Sequence, residues 1–172
     1  MIVREPVLDD TQRLAEVQSA SWSAGYADIL PADAIAKMNG QRVRQWSDFL
    51  AGAPGEKKSL ICELDGKIAA LSLWGPSRDE EDDKQTVSEL YSLYVHPDFW
   101  RRGCGRALCG AVIERARQDG ARRLILWTLR DNLPAQRFYE KVGFQRQTKT
   151  KMARFAGGEW AEVQYALELS AR

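Results

Sequence analysis

The chain has 172 residues, 44% of them hydrophobic and 28% charged, with a formal net charge of +1. That length suits one domain with a substantial core, expected here over residues 1–172. The near-neutral balance excludes the bulk basic field of a nucleic-acid binder, and no apolar run reaches the roughly 18 residues of a membrane span.

The N-terminal "MIVREP" reads as a short strand stopped by Pro6, and Asp9 or Asp10 is placed to cap the helix that follows, with Leu14, Val17, Ala20 and Trp22 on its apolar side. "GYADILP" breaks that helix. Pro31 then starts a second, with Ala34, Ile35 and Met38, and a third around Val43, Trp46, Phe49 and Leu50 stops at "AGAPGE". "KKSLICELDGKIAALSLWG" reads as two strands joined at Asp65-Gly66, because a tight hairpin demands positive φ. The acidic "PSRDEEDDKQ" reads as an exposed, solvated loop.

"TVSELYSLYVHP" is a strand, and period-two alternation places Glu89, Tyr91, Leu93 and Val95 on one face. A glycine-rich turn and a helix ending at Gly120 follow. "RRLILWTLR" suits a central strand buried on both faces. "NLPAQRFYEKVGF" is a short helix capped by Asn132, with Pro134 in its first turn and Gly143 at its stop. A last hairpin turns around Ala156-Gly157-Gly158. The strand-helix-strand unit from Thr86 to Thr128 needs a crossover and a parallel pair. The expected fold is therefore α/β: a mixed, mostly antiparallel central sheet with a splayed parallel strand pair and helices on both faces.

The stretch "WRRGCGRAL" carries the first chemical signal. A helix N-terminus offers unpaired N–H groups and the positive end of a dipole, and Gly103 and Gly105 let an anion approach the backbone. Arg101, Arg102 and Arg106 add charge and donors suited to phosphate oxygens. The stretch lacks the Gly-Lys-Ser/Thr ending of a P-loop, and Leu108 stands where a dinucleotide fingerprint has its third glycine. Glu89, an acid in an apolar strand, is a candidate general base, with an ion-paired structural Glu as the equal alternative. Cys104 stands at a helix start, where a thiolate is activated, but there its amide would be holding phosphate.

Together these residues resemble a known family. "LYVHPDFWRRGCGRALCGAVIERA" followed by "NLPAQRFYEKVGF" is similar to the acetyl-CoA-binding core of the GNAT superfamily of N-acetyltransferases. Asn132, Ala135, Phe138, Tyr139, Gly143 and Phe144 match its second segment, and Trp100 departs from the Gln or Arg usual at its position. The resemblance implies acetyl-CoA as co-substrate, no metal, and transfer of acetyl to a primary amine by direct attack in a ternary complex. It places the pantetheine arm on backbone groups of Leu93, Tyr94 and Val95. The pyrophosphate falls on the amides of Arg101, Arg102, Gly103, Cys104, Gly105 and Arg106, and Asn132 and Tyr139 lie at the thioester end. Glu89 would be the base and Tyr139 the acid. Trp22 and Tyr26 would lie in the segment covering the acceptor, a small molecule or peptide amine. A CoA or acyl-CoA sensor without turnover is the alternative.

The acids of "MIVREPVLDD", where a leader would be basic and apolar, and the odd cysteine count point to a cytoplasmic protein with reduced thiols. No nucleic-acid or membrane partner is expected, and the last hairpin offers an edge for a homodimer.

Overall fold

The computed structural model describes residues 1–52, 55–155 and 157–169. Seven strands form one sheet in the order β1-β2-β3-β4-β5-β7-β6. They are β1 (Ile2–Arg4), β2 (Lys58–Leu64), β3 (Lys67–Pro76), β4 (Val87–Val95), β5 (Arg123–Leu129), β6 (Gln145–Phe155) and β7 (Gly158–Glu168). The helices are α1 (Thr11–Gly25), α2 (Ala32–Asn39), α3 (Arg42–Ala51), α4 (Cys104–Gln118) and α5 (Leu133–Lys141). All neighbours pair antiparallel except β4 and β5, which α4 joins by the expected crossover.

Turn chemistry sets the connections. Asp65 and Gly66 take φ of 54° and 73°, the double positive that a two-residue hairpin turn requires. Gly103 opens α4 at φ 88°, and Gly120 at φ 92° follows its last turn. Asn132 caps α5 by accepting the Ala135 N–H at 3.2 Å. Ala156 in the last hairpin, and Ala53 and Pro54 in the expected stop of α3, lie outside the described residues.

Two helix starts differ from the sequence reading. Asp10 stands at the N-cap of α1, but its carboxylate turns back to Arg4, at 2.7 and 3.0 Å, and to the Val7 N–H at 2.8 Å. An arginine in reach outcompetes the helix N–H groups for the same oxygens. Pro31 sits at the N-cap of α2 rather than inside its first turn.

The sheet is covered on both faces. Leu108, Cys109 and Val112 of α4 pack on Leu60, Leu90, Leu124 and Leu126. Leu14 and Val17 of α1, with Trp46 of α3, pack on Ile61 and Leu71. Trimming one of these buried leucines to alanine costs about 2–5 kcal/mol.

One irregularity in β4 redirects its side chains. Leu73 of β3 pairs with Ser92 and Trp74 with Leu90, so Tyr91 is an additional residue, a β-bulge. The expected grouping of Glu89, Tyr91, Leu93 and Val95 on one face is therefore corrected. Leu90, Leu93 and Val95 pack toward α4, whereas Tyr94 packs toward α1. Glu89 pairs with Gly75 and Ser92 with Leu73, which places both on the α1 face. Tyr91 lines a cavity there together with Tyr94.

Candidate active site

The site begins where β4 and β5 part. They pair only from Val87 with Arg123 to Leu90 with Leu126, although β4 runs on to Val95 and β5 to Leu129. Beyond Leu90 one edge of β4 is open. His96 N–H donates to Ala69 O at 2.9 Å, so in antiparallel alternation Tyr94 and Ser92 also turn their backbone groups to β3. Leu93 and Val95 turn theirs to the open edge. The expectation for the Tyr94 backbone is corrected accordingly; its side chain lines the α1-face cavity instead. Trp100 accounts for its departure from the family pattern, because its indole Nε1 donates to the outward Val95 O at 2.7 Å.

The N-terminus of α4 lies beside this edge, and no side chain caps it. The first-turn amides of Cys104, Gly105 and Arg106 have no intrahelical acceptor. Arg101 takes φ 60° and Gly103 φ 88°, left-handed positions that turn the chain sharply into the helix. Gly105 serves packing: a Cβ there would meet Val95 Cγ2 at 3.3 Å and the Phe138 ring at 3.4 Å. Arg101 and Arg106 are exposed. Arg102 pairs with Asp65 at 2.7 Å and lies over the Phe99 ring.

The cysteines are buried among the apolar residues of this face, Cys104 included, at 1% exposure. Burial pushes the Cys62 and Cys109 thiols each up to about 12, so both stay protonated. Tyr139 packs between Phe138 and Phe144, and burial raises its hydroxyl well above the usual phenol range.

The α1 face at the same opening carries a cavity of about 200 Å³. Trp22, Tyr26, Tyr91, Tyr94, Trp127 and Phe155 line it, together with Glu162. Trp22 and Tyr26 stack with ring centroids 4.8 Å apart, which puts both expected acceptor residues on its wall.

Glu89 is on the same face but is not part of the cavity wall, and it is fully buried. Its Oε2 accepts the Arg78 backbone N–H at 2.9 Å, and its Oε1 accepts Arg78 Nε at 3.1 Å and Nη2. The acidic loop is thus not merely solvated. Its first residues fold onto the sheet, and Asp79 accepts from Lys149 at 3.3 Å and Gln164 at 3.1 Å. Sequence reasoning passed over Arg78 and Glu162. Arg78, the lone cation at the head of an acidic run, was a readable signal. Glu162 had none beyond its alternate position in the last strand.

An opened parallel pair, an uncapped helix start on one face and a side-chain-lined cavity on the other thus meet at one place in the sheet. A family model described as the acetyltransferase (GNAT) family matches residues 14–144, and the chain belongs to that family. It is an N-acetyltransferase by this membership and by its relatives. YuaI of Bacillus subtilis, named an uncharacterized N-acetyltransferase, is 27% identical over 144 residues, covering 84% of this chain and 80% of that protein. The fold matches a GCN5-related N-acetyltransferase from Rhodopseudomonas palustris at TM-score 0.77 and 22% identity, over 98% of this chain and 95% of that one. It also matches the structure of yncA from Salmonella typhimurium with its cofactor acetyl-CoA, at TM-score 0.69 and 19% identity, over 100% and 95% of the two chains. Among the described residues no helix is long and apolar enough to cross a membrane, and no group of three or more His, Cys, Asp or Glu is placed to hold a metal.

Proposed function

We propose that the protein transfers the acetyl group of acetyl-CoA to a primary amine by direct attack in a ternary complex, with the two substrates meeting through the opening between β4 and β5. The parting of these strands beyond Leu90 and Leu126 carries the reading. It joins an uncapped helix N-terminus on one face to a cavity on the other.

Acetyl-CoA supplies the acetyl group as an activated thioester. The amides of Gly103, Cys104, Gly105 and Arg106 hold its pyrophosphate, and Arg101, Arg102 and Arg106 surround it with charge. The outward backbone groups of Leu93 and the Val95 N–H pair with the pantetheine amides as an added strand would. Asn132 borders the thioester end. A backbone N–H of the open edge polarises the thioester carbonyl.

A primary alkylammonium has a pKa of about 10.4 and must lose a proton before it attacks. Glu89 receives that proton through water. Three of its roughly four lone-pair positions are taken by Arg78, which leaves one for that water. The amine nitrogen bonds to the carbonyl carbon and the carbon–sulfur bond breaks. Tyr139, kept protonated by its burial, gives its proton to the departing thiolate and regains one from solvent.

The test is thiol release from acetyl-CoA with a panel of amines. We expect turnover by the wild type and kcat about 100-fold lower for Tyr139→Phe. Glu89→Gln should lose most at neutral pH and recover as rising pH deprotonates the amine itself. Full activity of both variants across pH overturns the assigned roles. Tight acetyl-CoA binding with no turnover on any amine makes the protein a sensor instead.

A further inference from the structure

We infer that Glu162 anchors the ammonium group of the acceptor, and that the acceptor is a small primary amine with an apolar or aromatic body and no carboxylate. This rests on the acetyl-transfer reading above and names the substrate class for it.

The cavity composition is the first observation. Six aromatic side chains and one carboxylate line it, and no cation does. Aromatic faces attract cations and accept apolar bodies with equal ease. The cavity measures about 200 Å³. That is the space of a small molecule or a single side chain.

The second observation is that Glu162 is held only by a long ion pair where Glu89 is clamped by hydrogen bonds. The Glu162 carboxylate makes no hydrogen bond among the described residues. Its one ion-pair partner, Lys151, stands at 3.9 Å and also lies 4.0 Å over the Trp127 ring and 3.8 Å from Asp79. Its backbone is fixed in the sheet, paired with Leu129 of β5, so the carboxylate is held by a strand rather than a loop. Burial disfavours its charge, a cost that an arriving ammonium offsets.

The third observation concerns what an acceptor carboxylate would meet. Arg78 is bound to Glu89, Lys149 is bound to Asp79, and Lys151 is shared between Asp79 at 3.8 Å and Glu162 at 3.9 Å. Arg42 has unpartnered Nε and Nη2 atoms, but it is 5% exposed, stacks 4.6 Å over the Trp22 ring and is not part of the cavity wall. A second negative charge in the cavity would therefore face Glu162 with no cation on the cavity wall among the described residues, Arg42 lying behind the Trp22 ring.

The experiment titrates phenethylamine and L-phenylalanine, each at pH 7, into the full chain saturated with CoA, and measures binding by calorimetry. Phenethylamine should bind at least tenfold more tightly than phenylalanine. Glu162→Gln should weaken phenethylamine by roughly ten- to hundredfold, the worth of a charge-assisted hydrogen bond, and Glu162→Asp should regain part of it. Acetyl-CoA affinity and a cooperative thermal melt should persist in both variants. Equal binding by wild type and Glu162→Gln overturns the inference, as does a preference for phenylalanine or no binding of either compound. A parallel incubation with acetyl-CoA in place of CoA reads the chemistry: binding in the expected order without N-acetylphenethylamine formation there upholds the amine site and removes the acetyl-transfer reading instead.

Discussion

The two faces of the sheet at the opening present different kinds of chemical group. On the α4 face the groups presented are mostly backbone: first-turn amides, the outward edge at Leu93 and Val95, and a close approach at Gly105. On the α1 face they are side chains drawn from α1, α2, β4, β5, β6 and β7. Backbone amides are the same in every sequence, so they suit the part of a reaction that never varies. Side chains can be exchanged one at a time, so they suit the part that differs between relatives. The buried charges of the opening, Glu89 and Glu162, are both on the side-chain face.

Three substitutions test that division. The largest effect should come from Arg78→Ala, which leaves Glu89 buried without its partner. A cost of about 3 kcal/mol is expected, or roughly 6–12 °C in melting temperature. Acetyl-CoA affinity of the folded variant should be unchanged, and a joint loss would show that the faces are coupled. Gly105→Val breaks the other face. Its Cβ begins 3.3 Å from Val95 Cγ2, and overpacking of this kind costs about 1–3 kcal/mol. Calorimetry should show weakened acetyl-CoA binding with amine binding retained.

The smallest effect is a gain in stability from Glu162→Gln. Burial raises this carboxyl above its ordinary 4.5, so the folded state holds the proton more tightly than the unfolded chain does. The unfolded chain then binds fewer protons between the two values, and stability falls as pH rises through that window. At neutral pH the ionised Glu162 costs the fold a little. Urea unfolding of Glu162→Gln should give a gain below about 1 kcal/mol at pH 7, shrinking to nothing below pH 4.5.

Legibility in the sequence follows the same division. The glycine turn and the segment from Asn132 to Phe144 are contiguous, so their chemistry can be read along the chain. The parallel pair follows from the need for a crossover. Glu89 is visible as an acid in an apolar strand, yet its face-mates were misread, because nothing in Leu90-Tyr91-Ser92 marks a bulge. Its clamp by Arg78 forms across the β3–β4 hairpin, and Glu162 reaches this face only through the strand order, which puts β7 next to β5. Positions 78, 89 and 162 have no local pattern in common.

The bulge at Tyr91 has a consequence for how such a chain can diverge. Tyr91 and Ser92 both belong to the α1 face, so removing the single codon for Tyr91 restores plain alternation from Leu90 to Ser92. Leu93, Tyr94 and Val95 keep their sides. A one-residue deletion would thus widen the α1-face cavity by a whole tyrosine and leave the opposite wall in phase. In most strands a change of length scrambles everything beyond it. Here it stays on the α1 face, where it also removes the Tyr91 hydroxyl bond to Pro76 O and the ring beneath Arg78.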